Sequence, residues 1–298
     1  MIQDSERLDV YCSNRFFLSR SQARKLIENG QILVNKKVEK PSYKLKEEDT
    51  VEFTGEKKED RKILPQNIPL DIIYEDDYLI VLNKQKGLLT HPTTHNYDNT
   101  LVNALLYHTK GKLSNIGGDF RQGIVHRLDC DTSGLMLAAK TNFAHEKLAE
   151  DIKTKKTVRK YLGICHGIIE DDFGIIDKPL VHYMGKTVKM NVSNEGQKAI
   201  TEYKVLERFQ KATFLELKLQ TGRTHQIRCH LSSLNHPLIG DILYGSKGFI
   251  DFQNLKTKGQ VLQSYFLAFT HPVTGEIMEY RIDYDEDIKK VLNYLRSK

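Results

Sequence analysis

Residues 124–140 constrain this chain more than any other stretch. Ile124-Val125 is followed by His126-Arg127-Leu128-Asp129-Cys130-Asp131-Thr132-Ser133-Gly134, then by Leu135-Met136-Leu137-Ala138-Ala139-Lys140. Two apolar runs flank a polar knot. The first reads as the end of a buried strand and the second as the start of the next. Between them the chain must turn, and Gly134 suits a position that a β-carbon would obstruct. A histidine, an arginine and a carboxylate are thus held at the mouth of a sheet, where rigid elements present reactive loops. The competing reading is an ordinary polar turn, which the density of reactive groups disfavours.

This stretch resembles the signature of the RluA-type pseudouridine synthases: His-Arg-Leu-Asp, one variable residue, then Asp-Thr-Ser-Gly-Leu. The chain matches at His126 to Asp129 and at Asp131 to Leu135. The variable position, often lysine, is Cys130 here.

Composition sets the surrounding bounds. At 298 residues the chain is long enough for more than one domain. Its net charge of +6 is compatible with a polyanionic partner without requiring one. Cys12, Cys130, Cys165 and Cys229 form no Cys-x-x-Cys pair. A zinc ribbon is therefore not expected, and the cysteines read as reduced thiols of a cytoplasmic protein. No leader-like segment and no apolar stretch near the ~20 residues that span a bilayer are present.

Residues 7–54 form a first unit. Ser19 and Gln22 have the spacing of a capping box, Ala23, Leu26 and Ile27 supply an apolar side, and Gly30 suits the left-handed position after a helix. Arg20 and Arg24 share the opposite face with Lys25 close by. Ile32-Leu33-Val34 and Thr50-Val51-Glu52-Phe53 read as strands. A solvated helix face is the plain reading of the three basic residues. The order of Arg7-Leu8-Asp9, the Ser19–Arg24 run, the Gly30–Asn35 run and Asp49-Thr50-Val51 resembles the S4-like RNA-binding domain. That resemblance implies that Arg20, Arg24 and Lys25 lie against RNA phosphates. The expected division is an S4-like domain over 1–54, a charged linker over 55–67 and a catalytic domain over 68–298.

From Leu70 onward the pattern is strand, acidic turn at Glu75-Asp76-Asp77, strand, and a loop through Gly87 and His91-Pro92. The resembled family opens its catalytic domain in the same way, with proline where Gln85 stands. His91 and His95 read as surface histidines. Leu101, Val102, Leu105 and Leu106 have a helical period. Asn142 is placed to cap a helix running to about Lys155, and residues 158–164 and 214–219 alternate as strands.

A second motif follows at Thr221-Gly222-Arg223-Thr224-His225-Gln226-Ile227-Arg228-Cys229-His230-Leu231. Its glycine turn opens a helix with Thr224 as a candidate cap, whose N-terminus favours negative charge. His225 and His230 are five apart, where a helical metal pair needs four, so a zinc site is rejected. Gly240-Asp241-Ile242-Leu243-Tyr244-Gly245 matches a further family segment, and Phe269 to Glu276 matches the closing strand pair. Residues 288–295 read as a C-terminal helix.

The resemblance implies the chemistry. Asp129 acts at the ribose carbon that carries uracil, Arg228 pairs with Asp129, and Tyr161 holds the base. Arg127 fills the gap left by the extruded base, and Arg223 faces a phosphate or supports its loop. His126, Thr132, His225 and Gln226 are expected to contact substrate. The isomerisation conserves atoms, so no cofactor and no metal are expected. The implied fold is α+β, with a large mixed, mainly antiparallel sheet flanked by helices. The implied partner is RNA, ribosomal before transfer RNA, for a cytoplasmic monomer without membrane contact or obligate protein partner. The competing functions are a glycoside or nucleoside hydrolase pairing Asp129 with Asp131, and a non-catalytic RNA-binding protein.

Overall fold

The near-continuous apolar strands of this chain require a sheet that is covered on both faces, and the computed structural model contains one. It describes residues 5–16, 20–54, 62–93, 96–183, 189–245, 252 and 255–298. The chain divides into two units, Met1–Arg61 and Lys62–Lys298.

The first unit holds α1 (Leu8–Arg15), α2 (Arg20–Glu28), β1 (Ile32–Val34) and β2 (Val51–Phe53). The two strands pair antiparallel. Ala23 and Ile27 of α2 pack with Leu8 and Cys12 of α1, with Ile32 and Val34, and with Leu45. Gly30, at φ 70°, ends α2 as expected. Its amide bonds the Ile27 carbonyl and the next amide bonds that of Leu26, which satisfies the last carbonyls of the helix. Helix α1 has no counterpart in the sequence reading. The expected cap Ser19, the Gln22 side chain and linker residues 55–61 lie outside the described residues.

The second unit is built on nine strands. Their order is β3 (Asp71–Glu75), β4 (Leu79–Lys84), β5 (Ser133–Ala139), β12 (Leu262–Thr270), β6 (Val158–His166), β11 (Ala212–Leu219), β10 (Ile200–Arg208) and β7 (Phe173–Asp177), with β13 (Ile277–Arg281) paired to β12. All neighbours run antiparallel except β5 and β12. A separate hairpin joins β8 (Leu180–His182) to β9 (Met190–Val192).

The alternation of side chains sorts the core. Ile80, Leu82, Met136 and Ala138 cluster with Leu101, Val102 and Leu105 of α3 (Leu101–His108). Their neighbours Leu79, Val81, Leu135 and Leu137 cluster with Ala144 and Leu148 of α4 (Asn142–Lys153). Farther along the sheet, Leu162 and Ile164 pack with Ile288, Val291 and Leu292 of α6 (Glu286–Arg296). Among the described residues no helix is long and apolar enough to cross a membrane.

Several local expectations need correction. Ile124-Val125 forms no strand; Ile124 makes a single bridge to Ala138. Gly134 lies in β5 and not in the turn before it. Thr141 caps α4 through the Ala144 amide, while the Asn142 amide group is engaged by Ser114 and Asn115. That helix ends at Lys153, short of Lys155.

Gly134 earns its place through close approach. The parallel ladder of β5 and β12 is two pairs long, Ser133 with Gln263 and Gly134 with Ser264. A β-carbon on Gly134 would sit 2.2 Å from the Ser264 carbonyl oxygen, and its φ of 117° is hostile to other residues. Gly134→Ala should therefore cost about 3 kcal/mol or more. Urea unfolding checks this; a midpoint within error of wild type would show that the seam can relax.

Candidate active site

The turn before β5 is fixed by the bonds of its own backbone. The Leu128 carbonyl accepts from Thr90 Oγ1 at 2.7 Å, and the Cys130 carbonyl accepts from the Lys84 ammonium at 3.0 Å and from the Gly87 amide at 3.0 Å. The Asp129 carbonyl accepts from the Thr132 amide at 3.1 Å. Lys84 is buried at the end of β4 and also donates to the carbonyls of Gln85 and Leu88. Burial pushes its ammonium down to about 8, against the pull of Cys130, Asp129 and Asp131.

These supports present the Asp129 carboxylate to α5 (Gln226–Ser232). Arg228 Nη1 donates to Asp129 Oδ2 at 3.0 Å. The other edge of the guanidinium meets Asp241 in a fork, Nε to Oδ2 at 2.7 Å and Nη2 to Oδ1 at 2.9 Å. Arg228 and Asp241 are both buried. Burial alone would lower the guanidinium's pKa, but the bond and charge of Asp241, with Asp129 behind them, hold it above its ordinary value. The Tyr244 ring lies 5.1 Å from the Arg228 guanidinium carbon, and its hydroxyl accepts from the Met190 amide at 2.7 Å. His225 stands 3.9 Å from Asp129 Oδ1 through Nε2 and 3.1 Å from the Tyr244 hydroxyl through Nδ1. Burial lowers its pKa, and the charge of Asp129 opposes that shift.

A cavity of about 50 Å³ opens at this centre, with Asp129, Tyr161, Arg228, Leu128, Ile227 and Leu262 among its walls. A wider cleft of about 470 Å³ adjoins it and shares Arg127, Asp129, Tyr161 and Arg223. Tyr161, on β6, is only 3% exposed. Burial raises the pKa of its hydroxyl, so it carries its proton at neutral pH, although Arg159 and Ser264 pull the other way.

The residues expected to contact substrate divide into two sets. Arg127 is exposed at the mouth. Arg223 borders both spaces while its Nε donates to the Lys198 carbonyl at 3.1 Å. Gln226 is committed to the protein: its amide accepts from Thr221 Oγ1 and the Arg223 amide, and donates to the Ile200 carbonyl and Thr201. It fastens the glycine turn to β10, so the expected substrate contact finds its polar atoms already engaged. Thr132 is buried and its hydroxyl accepts from Gln260 at 3.0 Å. His126 is buried, and its Nε2 accepts from the Leu137 amide at 3.0 Å. The proton is then on Nδ1, which has no partner among the described residues. His126 clips the turn to β5 as a neutral ring, with burial and Arg159 pushing its pKa down to about 3.

Other expectations shift in detail. His225, at φ 52°, precedes α5 in place of the expected cap Thr224, and it makes no side-chain cap bond. His230 points away from His225, to Thr201 Oγ1 and the Lys178 carbonyl. Asp131 borders neither space, which removes the carboxylate pair that a hydrolase reading needs. His91 borders the wider cleft and is not a surface residue remote from the site; His95 lies outside the described residues. In the first unit Arg20 donates to Asp9 at 3.1 Å, while Arg24 and Lys25 stand exposed on α2. The four cysteines are free. Sequence reasoning gave no role to Asp241, Tyr244 or Lys84. The signal for Asp241 was a lone carboxylate in a motif-like segment, 13 residues beyond an arginine that needed a second partner.

The family model described as RNA pseudouridylate synthase matches residues 78–233, and the S4 domain model matches residues 6–51. A Bacillus subtilis protein described as an uncharacterized RNA pseudouridine synthase is 41% identical, covering 99% of this chain and 96% of its own. Ribosomal large subunit pseudouridine synthase D of Buchnera aphidicola is 39% identical over 98% of this chain and 95% of its own. The solved structure of human RNA pseudouridylate synthase domain containing 4 superposes with a TM-score of 0.57 at 24% identity, covering 76% of this chain and 93% of that one, and so shares its fold.

Two predictions follow from this geometry. Asp241→Ala leaves a buried guanidinium with one carboxylate and should cost about 3–5 kcal/mol in urea unfolding; a loss below 1 kcal/mol would assign the work of holding Arg228 to Asp129 alone. His126 binds a proton near 6.5 when unfolded and only near 3 when folded. Its contribution is therefore complete above pH 6.5 and is lost as the pH falls. Stability of the wild type should drop more steeply than that of His126→Asn between pH 6.5 and about 4.5, by up to about 1.4 kcal/mol per pH unit. Parallel urea midpoints for the two proteins would contradict the neutral clip.

Proposed function

The chain belongs to the RNA pseudouridylate synthase family, isomerases of uridine in RNA, and from that premise we propose that Asp129 is its catalytic carboxylate and large-subunit ribosomal RNA its substrate. The observation that carries the assignment of the acid is the Arg228–Asp129 bond at the wall of the inner cavity. A carboxylate at the wall of a cavity is held in place when a guanidinium pairs with it. Asp129 is paired on Oδ2, while Oδ1 lies 3.9 Å from His225 Nε2.

The reaction breaks the bond between ribose carbon 1 and uracil nitrogen 1, turns the base and rejoins it through carbon 5. No atom is gained or lost. Asp129 meets the ribose, as carboxylates do in glycosidic chemistry. Tyr161 offers the uracil a flat wall and a protonated hydroxyl beside the atoms that exchange a proton. The base must leave the RNA stack to arrive there. The inner cavity has room for only a few water molecules, so a pyrimidine enters as the exposed Arg127 and Arg223 swing aside. Arg127 then stacks where the base was, since a planar guanidinium both stacks on bases and pairs with phosphate.

The S4 domain of the chain supplies affinity through Arg24 and Lys25. Arg20 contributes less because one of its nitrogens is held by Asp9. Ribosomal RNA is favoured by near full-length relatives described as ribosomal large subunit pseudouridine synthase D. We place the protein in the cytoplasm as a single chain.

The test uses bulk RNA from cells lacking this protein, incubated with wild type or with Asp129→Ala, and maps pseudouridine by labelling that stops reverse transcription. New stops in large-subunit ribosomal RNA with wild type alone are expected. Equal stops with both proteins would remove Asp129 from the chemistry, and stops confined to another RNA would remove the substrate assignment.

A further inference from the structure

The wider cleft contains a charge that the reaction does not use. Arg159 lies on β6 two residues before Tyr161, so both side chains leave the same face of the strand. It is 5% exposed, and its Nε has no hydrogen-bond partner among the described residues. Among the described residues no carboxylate pairs with its guanidinium. Burying a cation without a partner costs several kcal/mol unless relaxation or water relieves it. Among the described residues of this unit the other buried cations have protein oxygens on them: Arg228 its two carboxylates and Lys84 three carbonyls, and the half-buried Lys86 likewise has the Asp287 carboxylate.

The surroundings of Arg159 fit an anion from outside. The cleft wall also carries Arg121, Arg127, Arg223 and Lys155, and its single carboxylate is Asp129, already held by Arg228. Lys155 bonds only the neutral Gln220. Gly222 stands directly against Arg159, and a β-carbon there would lie 3.2 Å from Nη1. The glycine turn of the second motif thus leaves room around the guanidinium. His126, also on the cleft wall, is neutral or positive and so offers no counter-charge in either state.

We propose that Arg159 is the seat of a backbone phosphodiester flanking the extruded uridine, a contact that rests on the synthase reading above. The phosphodiester is the anion that an RNA substrate brings to a cleft shared with Asp129 and Tyr161. A planar guanidinium recognises it with two parallel bonds. Arg159 is then a substrate-binding residue whose unpaired charge weakens the free protein and is satisfied when RNA is bound.

The experiment uses the full chain and a synthetic RNA stem-loop centred on a uridine that the wild type modifies. One phosphate at a time is replaced by an uncharged methylphosphonate. Arg159→Met should lower kcat/KM by about ten- to hundredfold, and Arg159→Lys should recover part of the loss. In the wild type one flanking methylphosphonate should cost a similar factor, and in Arg159→Met that same substitution should cost nothing more. The free Arg159→Met protein should melt at the same temperature as wild type or higher. If the variant loses activity while every methylphosphonate costs it as much as it costs wild type, Arg159 acts through the protein and the proposal falls. A lowered melting temperature with unchanged kcat/KM would also overturn it. If the wild type modifies no RNA, the synthase reading itself has failed; a wild type that works with an indifferent Arg159→Met defeats only this inference.

Discussion

One guanidinium shared by two carboxylates organises the second unit. Arg228 must be charged to hold Asp129, and a buried charge needs more than one exposed-facing partner to be tolerated. Asp241 supplies the dry side of that arrangement through two parallel bonds. Asp241 in turn accepts the amides of Leu243 and Tyr244, which brings the Tyr244 ring against Arg228 and its hydroxyl to His225 and Met190. The β8–β9 hairpin, α5 and the segment after it therefore converge on one ion. Loss of its geometry would release the acid and loosen three separate parts of the chain.

Polar groups around the acid differ in what they are free to do. His126, Thr132 and Gln226 are buried and spent on the protein, where they set the shape of the turn and of the glycine loop. Arg127 and Arg223 are at the mouth, with nitrogens left to meet a polyanion. This separation suits a catalyst that must present one carboxylate rigidly while admitting a base through a moving rim. It also explains why the same short motifs combine exposed charged residues with buried residues bonded to the protein.

The main strands, the C-terminal helix and the trio Asp129, Tyr161 and Arg228 were legible in the sequence. The strands announce themselves by period, Asp129 and Arg228 by two dense motifs, and Tyr161 by the family resemblance on its strand. What escaped the sequence was long-range pairing. Asp241 looks like any acidic residue until the fold brings it to Arg228. Lys84 looks solvent-facing until three carbonyls close on its ammonium. Gly134 was correctly read as a position that excludes a β-carbon, but the cause is the Ser264 backbone of a strand 130 residues later and not a local turn. Helix α1 carries too little apolar periodicity to be seen locally; its stability comes from packing of Leu8 and Cys12 in the first unit. Caps were misplaced by one residue at α4 and α5, where neighbouring Thr and Asn, or Thr and His, compete for the same position.

The place of β12 in the sheet has a bearing on how this protein comes into being. Leu262–Thr270 is synthesised after β5 to β11, yet it lies between β5 and β6 and joins the two halves of the sheet. Until it emerges from the ribosome, β5 and β6 have no common neighbour and the walls of the cleft have no shared base. A chain grown only as far as β11 has both halves of the sheet but lacks the strand that joins them. The middle of the sheet is filled only after the strands on both sides of it have been made.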